Sequence, residues 1–168
     1  NEVFLSHPGK LDDETRLPRI ERGVELIIRQ FEYLYQGIYG ERKEQLVQYK
    51  EFLKKELIDF KQGKHLNVTI PGQMSYNNFG LNVDRVLLVS YEPRAYFSSL
   101  LAMISALAVG AGVTIVCRRS EGFFWWSKVV EQFIKSGISA EQLRVQQIGE
   151  EALRKTIQSH ELTSIVLD

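Results

Sequence analysis

The chain has 168 residues, 44% of them hydrophobic, with 21 basic and 21 acidic side chains and a formal net charge of zero. That length carries one domain, or one domain with an appendage, and the apolar fraction suffices for a packed core. Balanced charge speaks against a polyanion-binding surface, so no nucleic acid is expected. The single cysteine rules out an internal disulfide and, with no apolar leader, points to the reducing cytoplasm.

Residues 1–19 are expected to be an extended arm, because His7, Pro8, Gly9 and Pro18 interrupt any regular pattern and Leu11 to Arg16 is polar. Pro18 fits the first turn of the helix that follows. From Glu21 an apolar stripe at helical spacing runs through Val24, Ile27, Ile28, Phe31, Leu34 and Ile38, with Gly37 and Gly40 as stops. A second stripe holds Leu46, Tyr49, Leu53, Leu57 and Phe60, ending near Gly63. Together they predict an antiparallel helical hairpin over Glu21 to Phe60 with one apolar side, to be buried on the later domain or on another chain. Residues 65–80 change character. Leu66, Val68 and Ile70 alternate with polar residues as a short strand, and Pro71-Gly72 and Asn77-Asn78 read as turns.

The remainder alternates strands and helices. Val86–Val89 and Val113–Cys117 are apolar runs without polar alternation, as in strands covered on both faces of a parallel sheet. Between them a helix carries Phe97, Leu100, Leu101, Ile104, Leu107 and Ala108 and stops at Gly110 and Gly112. The apolar stretch from Ala95 to Val116 is broken by serines and glycines, so it reads as core and not as a membrane span. A helix over Phe123–Ser136, a strand over Leu143–Gln147, a helix over Glu150–Ser159 and a strand over Ser164–Leu167 complete the pattern. Such alternation implies right-handed crossovers, hence an α/β fold: a parallel sheet with helices on both faces, preceded by the hairpin. The expected units are 1–64, arm and hairpin, and 65–168, the sheet domain.

The chemistry is sparse. The first strand-to-helix turn, Ser90-Tyr91-Glu92-Pro93-Arg94, has no glycine, so neither a dinucleotide fingerprint nor a Walker loop is present. Cys117 is expected inside a strand as a small core residue, where a nucleophile would need exposure and a base. His7, His65 and His160 have no ligand spacing, so no metal site is expected, and Asp12-Asp13 and Glu150-Glu151 read as solvated charge pairs. The stretch Arg118-Arg119-Ser120-Glu121 stands at the carboxyl end of the second strand, where open α/β sheets bind ligands. Phe123, Phe124, Trp125 and Trp126 follow it directly. A basic pair beside aromatics can clamp a nucleotide; the plainer reading is a serine cap, solvated arginines and core aromatics. Two adjacent tryptophans at a helix start cannot both face the sheet, so one is expected to be exposed or in an interface.

From Val68 to Asp168 the chain resembles the start of the cofactor-binding half of aldehyde dehydrogenases. Tyr91-Glu92-Pro93-Arg94 is similar to that family's Y-x-P-R/L-G turn, Ala106 to Gly110 to its A-L-A-A-G-N helix end, and Val113 to Glu121 to its V-V-x-K-P-S-E strand. Ile134 to Ser139 and Ser159-His160 to Leu167 resemble the next helix and strand. The resemblance implies a Rossmann-like domain that could hold NAD through Arg118, Ser120 and Glu121, with Arg118 standing for the family's ribose-binding lysine and Arg119 for a proline. The P-W-N motif that helps hold the oxyanion is replaced by Tyr96-Phe97-Ser98. The glutamate base and cysteine nucleophile would lie past Asp168.

Within the family the chain looks most like the pyrroline-5-carboxylate dehydrogenases and the PutA-type proline-catabolic proteins, whose carboxy-terminal region repeats a degraded copy of the fold. Pro71-Gly72 to Asn77-Asn78 resembles the opening of that copy. The resemblance implies a noncatalytic domain of a dehydrogenase that oxidises glutamate semialdehyde to glutamate with NAD, partnered by the rest of its parent chain. Two alternatives stay open: the cofactor-binding half of an active aldehyde dehydrogenase, and an unrelated flavodoxin-like binding module. Trp125 and Trp126 are the expected protein-contact residues, with a second copy of the chain as another possible partner.

Overall fold

A computed structural model describes residues 2–35, 43–61, 84–91, 96–159, 162 and 164–167. Helix α1 spans Asp13–Arg29, α2 Phe31–Tyr35 and α3 Lys43–Lys61. Then follow β1 (Arg85–Ser90), α4 (Tyr96–Ala108), β2 (Gly112–Cys117), α5 (Ser120–Lys135), β3 (Leu143–Gln147), α6 (Glu150–Gln158) and β4 (Ser164–Leu167). All three strand pairs are parallel and the order is β3-β2-β1-β4. The four strands expected from the apolar runs are therefore present and parallel, with helices on both faces.

The chain steps outward from β1 to β2 to β3, then returns past β1 to β4. Crossovers of one hand place α4 and α5 on one face and α6 on the other. Burial divides the same way. Val86, Leu88, Val113, Ile115, Cys117 and Leu143 join α4, α5 and the hairpin in one large cluster. Leu87, Val89 and Val116 join Ile148, Leu153 of α6 and Val3 in a smaller one. Both α4 and α5 end where a glycine takes positive φ, Gly110 at 86° and Gly137 at 107°. There Ala111 N donates to Ala106 O and Ile138 N to Phe133 O, so the helix-end carbonyls are satisfied before the chain turns into the next segment.

The hairpin forms, with changes from its expected outline. Helix α1 begins at Asp13, not after residue 19, because the Asp12 side chain accepts from Thr15 N at 3.0 Å and caps it. Asp12 is thus a cap and not merely a solvated charge. Pro18 lies inside α1, in its second turn, where the lost N–H is outweighed by the packing of Ile20, Val24 and Ile27, all buried. The helix breaks at Gln30, seven residues before Gly37. Ion pairs Lys50–Glu32 at 2.6 Å and Lys61–Glu25 at 2.7 Å run the length of the α1/α2–α3 seam and fix its antiparallel sense. The apolar side packs onto α4 and α5, where Phe97 stacks on Tyr49 with ring centres 4.3 Å apart. Ile38, the strand expected over residues 66–70, the turns to 80 and the boundary at 64/65 lie outside the described residues.

The arm is extended over residues 2–11 and crosses the sheet's second face. Ser6 N donates to Thr114 Oγ1, Ser6 Oγ to Val113 O and His7 N to Glu141 O, each at 2.8 Å. A side chain at Gly112 would place its Cβ 2.5 Å from His7 O, so glycine there is what lets the arm lie so close. Arg16 anchors the arm's end: its Nε and Nη2 both donate to Ala108 O at the end of α4.

Candidate functional site at the carboxyl edge of the sheet

Adjacent strands of a parallel sheet bring successive strand-to-helix turns side by side. The turn from β2 into α5 therefore meets the turn from β3 into α6. Ile148 N donates to Cys117 O at 3.1 Å. Gln147 Nε2 donates to Ser120 Oγ at 3.3 Å, and Arg118 Nη2 reaches Glu150 Oε2 at 3.3 Å. Arg118, Ser120 and Glu121 do stand together at this edge, beside Gln147 and Glu150. Ser120 is the first helical residue, so the cap position falls to Arg119, whose side chain makes no capping bond. The expected serine cap is thus displaced by one residue, and Ser120 Oγ is taken up by Gln147.

The Arg118–Glu150 pair is exposed on its acidic side, at 63%, and one-third exposed on its basic side. Such pairs contribute about 0–1 kcal/mol. A phosphate or ribose could displace Glu150 from Arg118 at small cost, but it has to compete with a carboxylate already there. Glu150 also lies 3.6 Å from Arg154 on α6, so it would keep one cationic neighbour. Arg119 and Glu121 are exposed and Gln147 borders them. Arg118, Ser120, Gln147 and Glu150 thus form a polar rim able to take hydrogen-bonding groups from a ligand.

Below the rim the space is filled by rings. Trp126 and Trp125 are both buried, at 0% and 5% exposure, against the expectation that one would be exposed or in an interface. Trp126 faces the sheet and donates Nε1–H to Ser90 Oγ at 3.0 Å. Trp125 faces the other way, into the hairpin, and donates to Leu34 O at 2.9 Å. Tyr96 stacks on Trp125 at 4.7 Å, and Tyr35 meets its edge at 5.2 Å. The argument from a two-layer packing failed because a third layer receives the second indole. Of the four successive aromatics from Phe123 to Trp126, the exposed one is Phe124, at 64%. Neither tryptophan side chain presents the protein-contact surface expected of it.

Cys117 is fully buried in the last position of β2, as a core thiol was expected to be. Among the described residues no three His, Cys, Asp or Glu groups stand close enough to hold a metal ion. His7 Nδ1 lies 3.3 Å from Arg85 Nη2; His65 and His160 are outside the described residues. A depression of about 330 Å³ lies along α1 between Pro18 and Arg29, with no strand end in its wall. Among the described residues no helix is long and apolar enough to cross a membrane.

Glu150, as the partner of Arg118, was missed from the sequence, where it read only as a solvated charge. The signal was present: Arg118 directly follows β2, and Glu150 opens the helix three residues past the neighbouring parallel strand β3.

No family model matches the chain, and no curated protein matches its sequence. Solved structures do match. Proline utilization A (PutA) of Bradyrhizobium japonicum superposes with a TM-score of 0.64 at 14% identity, over 94% of this chain and 17% of that one. An NAD-dependent benzaldehyde dehydrogenase from Corynebacterium glutamicum gives 0.60 at 14%, over 94% and 42%. Succinic semialdehyde dehydrogenase from Streptococcus pyogenes, in complex with NADP+, gives 0.64 at 11%, over 94% and 36%. The chain has the fold that these aldehyde dehydrogenases and PutA share, and it spans less than half of each of their lengths.

Proposed function

We propose that the chain is an aldehyde-dehydrogenase-like domain of a cytoplasmic, proline-catabolic pyrroline-5-carboxylate dehydrogenase, and that it serves assembly or covers the active domain without aldehyde chemistry of its own. The observation that carries this is the state of its one thiol. Cys117 is fully buried at the end of β2, below a rim whose arginine is held by Glu150 and beside an indole layer that fills the interior. A thiolate nucleophile needs an open approach and a base to take its proton, and this position offers no open approach. The shared fold with PutA and the resemblance of residues 71–78 and 91–121 support the assignment to proline catabolism.

The second reading is a retained cofactor site. It is favoured by the grouping of Arg118, Ser120 and Glu121 at the edge where such sheets bind nucleotides. The two readings separate in one set of measurements. With pyrroline-5-carboxylate and NAD the chain alone is expected to form no NADH, and calorimetry is expected to show only weak NAD binding. Turnover that vanishes in Cys117→Ala would overturn the first reading. Micromolar NAD binding abolished by Arg118→Ala would establish the second.

A further inference from the structure

Glu56 lines a narrow cleft between α1, α3 and α4. The other walls are Val24 of α1, Leu53 and Leu57 of α3, and Leu101, Ile104 and Ser105 of α4. No wall residue answers its charge. Ser105 Oγ donates to Leu101 O at 2.9 Å, and α4 carries no charged side chain. Three lysines of α3 are taken: Lys50, Lys54 and Lys61 pair with Glu32, Glu51 and Glu25. Lys55 is the adjacent residue, so it projects from another side of the helix, and Asp59 adds like charge. Among the described residues Glu56 makes no hydrogen bond or ion pair. Burial, with Asp59 adding to it, holds its carboxyl above the usual glutamate range, and the pull of Lys55 is smaller than either.

A partly dehydrated carboxylate without a counter-charge is costly, and a cationic hydrogen-bond donor is the group that relieves it. The cleft selects which cation. Its volume is about 30 Å³, room for roughly two water-sized groups. That is far below a small-molecule pocket, so the cleft takes the tip of a side chain and not a whole ligand. Its aliphatic walls suit a hydrocarbon stem with the charge at the end. Lysine meets both demands, with a compact ammonium on a flexible four-carbon stem, whereas the guanidinium of arginine is a wider planar fork. Leu57 and Ile104 in the walls, and Phe52 one turn before Glu56, are only partly buried. The backbone that brings the lysine therefore meets apolar surface around it.

We propose that the cleft between α3 and α4 is a docking slot for a lysine side chain of a partner polypeptide, whose ammonium pairs with Glu56 while its stem lies along Leu53, Leu101 and Ile104. The inference does not depend on the dehydrogenase reading. The probe is a terminally blocked Ala-Leu-Lys-Leu-Ala peptide, titrated into the full chain while the Glu56 carboxyl carbon resonance is followed across pH. The same peptide with norleucine for lysine, and n-butylammonium alone, serve as comparisons. The lysine peptide is expected to bind, and to move the Glu56 titration to lower pH, because a bound cation favours the charged carboxylate. Binding is expected to weaken as pH falls through that titration. Glu56→Gln is expected to weaken binding about tenfold or more, and the norleucine peptide to lose a similar factor. Equal binding by wild type and Glu56→Gln would overturn the proposal, as would no binding of the lysine peptide. So would n-butylammonium binding as tightly as the peptide, which would make this a small-amine site. So would a rise of the Glu56 titration in unliganded Lys64→Ala, which would show that a lysine of the chain itself already serves the carboxylate. Since Glu56→Gln removes a charge that burial opposes, it is expected to fold; should it not, Glu56→Asp, which draws the carboxylate back by one methylene, replaces it, with a severalfold loss expected.

Discussion

On the face that carries α4 and α5, the sheet is covered by two further layers, and rings interlock from Tyr49 and Phe97 through Tyr35 and Trp125 to Trp126. On the opposite face, among the described residues, the cover is one short helix and an extended arm, over an apolar cluster of only a few side chains. There the fixing is done by side-chain hydrogen bonds from Ser6, His7 and Phe4 to polar groups on the strands. The first cover is held by dehydrated area, which is large and indifferent to detail. The second is held by a few directional contacts, each worth little but each specifying where the arm lies.

The largest test of this contrast is Trp126→Ala. It removes a fully buried indole and orphans Ser90 Oγ, so a loss of about 3–5 kcal/mol is expected in urea unfolding. A loss below about 1 kcal/mol would mean that the ring layer is not what holds the first face. Ser6→Ala is the matched change on the other face, removing the bond to Val113 O, with an expected cost of about 1 kcal/mol. If it cost as much as the tryptophan, the arm would be integral to the core and the contrast would fail.

The smallest effect sharpens the picture of the hairpin. Burial, with Asp59 adding to it, holds the Glu56 carboxyl above the usual glutamate range. It sits among Val24, Leu53, Leu57, Leu101 and Ile104. Because the folded state disfavours its charged form, Glu56 subtracts stability as pH rises through the unfolded glutamate value, and the loss is complete above the folded one. Glu56→Gln is therefore expected to raise stability slightly at pH 7 and to change nothing below about pH 4. Glu25 and Glu32 run the other way. Hydrogen bonds from Lys61 and Lys50 hold them below the usual range, so their small contribution is present at neutral pH and fades as pH falls.

The sheet was legible because strands buried on both faces leave an unbroken apolar signature: Val86–Val89 and Val113–Cys117 could hardly be read otherwise. The helix ends at Gly110 and Gly137 were legible for the same kind of reason, since a residue with positive φ has few chemical solutions. What escaped reading depended on partners distant in sequence. Trp125 looks surplus until the Leu34 carbonyl is placed 2.9 Å from its indole nitrogen. Pro18 looks like a boundary until the packing of α1 is seen to carry the helix through it. Glu150 acquires meaning only once β2 and β3 lie side by side. Nothing local marks Ser6 as the tether that lays the arm on the sheet.

The reach of the arm's contacts bears on how the protein is made. Ser6 meets a residue 108 positions later and Phe4 one 142 positions later. At about 5–20 residues per second, Phe4 leaves the ribosome roughly 7–30 s before Gln146 does. Throughout that interval Val3, Phe4 and Leu5 are apolar and have nothing to lie on, while α1 can already pair with α3. The arm therefore takes its seat only after β3 has been made, late in synthesis and ahead of β4.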